Sequence, residues 1–177
     1  MVVGRGFVDK TPQVCHPAEP QTLSEVHMQQ ISCHDVIHQI KGALSVKIRD
    51  AEVDLDTEQM AALSFQHPAH RANVFVFVEQ GDARQPEPTV AIFVLIDDWQ
   101  DVQQDIAQVT KLLQLNASLM SCAIGVLQLN EDEQATALCR RLPVDHVPAE
   151  SVLDLIEGMI YEYAQAAGFI EQASPAE

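Results

Sequence analysis

The chain has 177 residues, 47% of them hydrophobic, with 26 acidic against 10 basic side chains and a formal charge of −16. That is enough apolar material for one sizeable core, which excludes a disordered chain, and enough negative charge to repel nucleic acid or an anionic membrane. No run approaches the roughly 18 apolar residues of a membrane span. A basic or mixed-charge peptide suits such a surface better, although acidity also serves simply to keep a soluble protein apart from its neighbours.

The first ten residues, Met1 to Lys10, hold no continuous apolar stretch of secretory type, so the chain is read as cytoplasmic. Residues 1–21 contain Pro12, Pro17 and Pro20 without sustained periodicity and are expected to form a flexible arm. A single domain is expected over 22–172, followed by a loose tail at 173–177.

Thr22 and Glu25 stand in capping-box spacing ahead of Cys33, Ile37, Ile40 and Leu44, which share one helical face. The spacing predicts a first helix over about 23–45. Residues 47–59 are ambiguous: Ile48, Val53 and Leu55 suit a short extended piece, while the acids between them suit a mobile connection. Strands are predicted at 60–66, 73–79 and 89–96, the last two joined by a polar loop with two prolines.

In Val74–Val78 and Val90–Ile96 neither alternate set of side chains is polar, which predicts a sheet covered on both faces. One layer of helices covers one face. A partner subunit, a bound peptide or a helix folded round the far side would cover the other, unless these are central strands with only partial burial behind them.

Asp97 and Asp98 are placed to cap a second helix, in which Val102, Ile106, Val109 and Leu113 recur at helical steps. Strands at 123–129 and 135–142 flank the polar turn Asn130-Glu131-Asp132-Glu133, predicting a hairpin. A last helix opens near Pro148 and carries Val152, Leu155, Ile156, Met159, Ile160 and Tyr163, ending at Gly168 or just beyond. Gly158 weakens its middle by roughly 1 kcal/mol relative to Ala. The expected fold is therefore α+β: helix, three strands, helix, strand pair, helix, with an antiparallel sheet packed on helices.

Catalytic patterns are thin. The G-x-S-x-G, G-x-x-x-x-G-K and G-x-G-x-x-G motifs are all missing. Asp97, Asp98, Asp101 and Asp105 fall at a helix start, where capping accounts for them. Cys15, Cys33, Cys122 and Cys139 lack paired C-x-x-C spacing and read as packing residues. His34 and His38, four apart, echo H-E-x-x-H, but Asp35 replaces the Glu and no third ligand follows at a defined distance. They are read as a solvent-facing pair, with no metal, no cofactor and no enzymatic activity expected.

The order of elements resembles the class I type III secretion chaperones of Gram-negative bacteria. Lys111-Leu112-Leu113-Gln114-Leu115-Asn116-Ala117-Ser118-Leu119 is similar to the "LLxxN" end of that family's second helix. Ala123 to Leu129 and Arg141-Leu142-Pro143-Val144-Asp145 are similar to its late strands with their "RLPL" close, and Glu157 to Gly168 to its last helix. The resemblance spans about residues 23–170.

The resemblance implies a non-enzymatic homodimer that holds the N-terminal segment of one or more secreted effectors in an extended path. It implies Val109, Leu112, Leu113, Leu119, Ile124 and Val126 as dimer-interface candidates. Ile37, Ile40, Phe75, Phe77 and Phe93 become effector-binding candidates. The chain is longer than most of the family, and its first 21 residues have no counterpart there. A regulatory adaptor or anti-activator of the same fold is the alternative, and a metal-dependent enzyme using His34 and His38 is the third reading.

Overall fold

A computed structural model describes residues 32–81 and 87–173, with side chains described as far as Gly168. The expected arm at 1–21, the capping box at Thr22 and Glu25, and residues 174–177 lie outside these residues. The chain runs α1 (Cys33–Leu44), β1 (Glu52–Asp56), β2 (Met60–Gln66), β3 (Asn73–Glu79), β4 (Thr89–Asp98), α2 (Trp99–Gln103), α3 (Ile106–Ser118), β5 (Ala123–Gln128), β6 (Gln134–Pro143) and α4 (Val152–Ala173). Two single 3-10 turns, Val144–His146 and Ala149–Ser151, lead into α4.

The six strands form one antiparallel sheet in the order β1-β2-β3-β4-β6-β5. Register assigns each side chain to a face. Leu63 pairs with Val76, Val76 with Ile92, and Val94 with Leu138, and these residues define the inner face. Cys33, Ile37, Ile40 and Leu44 of α1 and Val152, Ile156 and Met159 of α4 bury themselves on that face, forming one core. Steps of four, three and four bring the four α1 residues onto one side of the helix, as their spacing predicts.

The ambiguous connection after α1 resolves as an edge strand, β1, bulged between Val53 and Leu55 where it pairs with β2. The second helix differs from the expectation. It is not continuous: Asp98 caps α2 by accepting from the Gln100 N–H at 2.8 Å, and Asp105 caps a new helix, α3, by accepting from the Ala107 N–H at 2.8 Å. An Asp side chain competes with the helical backbone for nearby N–H groups, and here that competition ends one helix and starts another. The supposed common face is split as a result, with Val102 buried and Ile106 83% exposed. At the far end α4 continues through Gly168 to Ala173.

Candidate functional site

The outer face of the sheet carries Phe75, Phe77 and Phe93, with Ala62, Ala91, Leu95, Ala137 and Cys139 in register between and beside them. Phe75 stands directly opposite Phe93, and Phe77 meets Phe93 edge to face with ring centroids 5.6 Å apart. Such pairs stabilise a sheet by about 0.5–1.5 kcal/mol beyond area burial. None of these outer-face residues belongs to the core cluster that α1 and α4 close. Ala91, in register between Phe77 and Arg141, and Ala137, between Leu95 and Gly125, are almost fully buried. The Arg141 guanidinium pairs with Glu79 at 3.1 Å and closes one end of the face.

This geometry divides the effector-binding candidates. Phe75, Phe77 and Phe93 share the outer face, half-buried. Ile37 and Ile40 lie on the opposite side of the sheet, 0% and 1% exposed, because the stripe of α1 that carries them is the stripe that closes the core. They are core residues, not groove residues.

A second apolar surface lies along α3 and β5. Val109, Leu112 and Leu113 of α3 face Ile124 and Val126 of β5 across a cleft of about 150 Å³, with Trp99 and Thr136 also in its wall. Five of the six dimer-interface candidates thus come together. Leu119 does not join them and packs against the core. Ile106, Leu113, Met120 and Val126, all on α3, β5 or the corner between them, are among the most exposed large apolar side chains described.

Two polar devices hold this unit in place. Asn116 Oδ1, the Asn of the LLxxN run, accepts from the Ile124 N–H at 2.7 Å and fastens the end of α3 to β5. Glu162 of α4 accepts from the N–H groups of Met120 and Ser121 and from the Ser121 hydroxyl, tying the α3–β5 corner to the last helix. These bonds, the Ser121 hydroxyl first, hold the Glu162 carboxyl below its ordinary value. Sequence reasoning missed Glu162, because a Glu on the polar side of an amphipathic helix carries no signal of a partner about 40 residues upstream.

The histidine pair is solvent-facing as read, but it gains a third member. Asp56 at the end of β1 places Oδ1 2.7 Å from His34 Nδ1 and Oδ2 3.0 Å from His38 Nε2. Hydrogen bonds from the two histidines, His38 first, lower the Asp56 pKa. Asp56 sits in the segment that sequence reading left ambiguous, so its distance from helix α1 was not legible.

The three described cysteines, Cys33, Cys122 and Cys139, offer no ready nucleophile. Burial raises the pKa of Cys33 and Cys139, and burial with the nearby Glu162 charge pushes Cys122 up to about 11, leaving these thiols protonated at neutral pH.

Against protein-family models and curated proteins, the sequence finds no match. No helix among the described residues is long and apolar enough to cross a membrane.

Proposed function

We propose that this chain is a cytoplasmic homodimeric chaperone of the class I type III secretion kind, which holds the N-terminal segment of a secreted effector and keeps it soluble. The observation that carries the reading is the outer sheet face, whose Phe75, Phe77 and Phe93 stand outside the core that α1 and α4 close on the opposite face. Apolar surface left outside a core marks an interaction site, and an antiparallel sheet with edge strands suits an extended peptide. The cleft between α3 and β5 supports self-association, since its lining matches five residues that the family resemblance assigns to a dimer contact. A charge of −16 favours a basic or mixed-charge segment and opposes nucleic acid.

The test is purification of the tagged protein from its native cells, with light scattering for mass and mass spectrometry of what co-elutes. A homodimer bound to the N-terminal segment of a secreted protein, with that binding lost in Phe77→Ser/Phe93→Ser, is the expected result. A monomer carrying no effector, or an effector retained by the double variant, overturns the proposal.

A further inference from the structure

We propose that His34, His38 and Asp56 form a binding site for one divalent transition-metal ion of the zinc class, tying helix α1 to edge strand β1. The two histidines lie one helical turn apart on the exposed side of α1, with ring centroids 4.6 Å apart. Asp56 reaches them from the last position of β1. One donor atom from each residue lies within 4.8 Å of the others.

The donor set selects the metal class. Two imidazole nitrogens and one carboxylate suit Zn(II), Co(II), Ni(II) or Cu(II), whereas Mg(II) and Ca(II) take oxygen ligands. Tetrahedral bonds of about 2.0–2.1 Å separate neighbouring donors by about 3.3 Å. The carboxylate oxygens, at 2.7 and 3.0 Å from the nitrogens, draw back by about 0.3–0.6 Å to admit an ion, and the donor atoms, which lie within 4.8 Å of one another, close toward that spacing. All three side chains are substantially solvent-exposed and free to make that adjustment, and the remaining coordination positions open to water. The acidic chain as a whole raises the local concentration of cations.

The ligands come from two elements with different jobs. Helix α1, with α4, closes the inner face of the sheet, and β1 is the edge strand next to β2 among the described residues. An ion held between them cross-links the lid of the core to the sheet margin. It stabilises the folded chain by mass action, because the unfolded chain does not hold the three donors together.

The experiment uses the full chain without a histidine tag, stripped with chelator and titrated with Zn(II) by calorimetry and with Co(II) by absorption. One ion per chain with micromolar or tighter affinity and a melting temperature that rises with Zn(II) are expected. His38→Ala and Asp56→Asn should each weaken binding by about tenfold or more, and His70→Ala should leave it unchanged. In the wild-type chain the ring resonances of His34 and His38 should shift on Zn(II) addition, which keeps the test decisive if a variant misfolds. Absence of saturable binding, binding that survives both substitutions, ring shifts confined to other histidines, or thiolate-to-cobalt absorption would each overturn the site.

Discussion

Replacing Glu162 by Ala removes the acceptor for two backbone N–H groups and one hydroxyl at the α3–β5 corner. Charge-assisted hydrogen bonds contribute about 1.5–3 kcal/mol where water is excluded. This corner is open to solvent, and water replaces part of each bond, so the three together contribute about 1–2 kcal/mol. For a chain of this size each kcal/mol moves the melting temperature by about 2–4 °C, which gives an expected drop of about 2–8 °C. Because the folded pKa of Glu162 lies below its ordinary value of 4.5, its contribution is present above pH 4.5 and fades as pH falls through the folded value. Calorimetric melts of wild type, Glu162→Ala and Glu162→Gln across that range would show the curves converging in acid. Amide hydrogen exchange at Met120 and Ser121 should quicken in the Ala variant. Equal melting temperatures near neutral pH, with exchange at those two amides unchanged, would refute the assignment of Glu162 as the fastening of this corner.

His67 is buried, its Nδ1 accepts from the His70 N–H at 3.3 Å, and its Nε2 has no hydrogen-bond partner among the described residues. Burial above all lowers its pKa, so the unfolded chain takes up a proton that the folded chain refuses; stability is full above pH 6.5 and declines below it, and urea melts of His67→Leu should show that decline flattened. Ile156, on the core side of α4, is fully buried, and Ile156→Ala should cost about 2–5 kcal/mol, read as a lowered urea midpoint with an unchanged slope. Leu113 and Val126 are 65% and 48% exposed. Leu113→Glu/Val126→Glu should therefore leave monomer stability within about 0.5 kcal/mol per site while raising the dimer dissociation constant about tenfold or more by light scattering.

The elements that sequence reading located best are those in which one interaction dominates. In β3 and β4 the apolar runs state their own burial, and in α4 the stripe from Val152 to Tyr163 states which side meets the core. The break at Asp105 was hidden because apolar periodicity continues across it: Val102 and Ile106 keep helical spacing while the backbone changes hands between two caps. Within the candidate surfaces, Phe75, Phe77 and Phe93 could be separated from Ile37 and Ile40 only by strand register together with the face of the sheet that α1 covers. Asp56 and Glu162 were illegible for a related reason. Their partners lie 18 to 42 residues away in sequence, and nothing local to a carboxylate announces a distant donor.

The strand order has a consequence for how the chain is made. β2, β3 and β4 follow one another as a meander, but the strand that pairs with β4 on its other side, β6, begins only at Gln134, and the helix that completes the core begins at Val152. At a synthesis rate of about 5–20 residues per second, the meander leaves the ribosome roughly 3–10 seconds before α4 can reach it. During that interval α1, made before the meander, already covers part of the inner face, but the part that α4 closes stays open, so a newborn chain offers more sticky surface than the finished one.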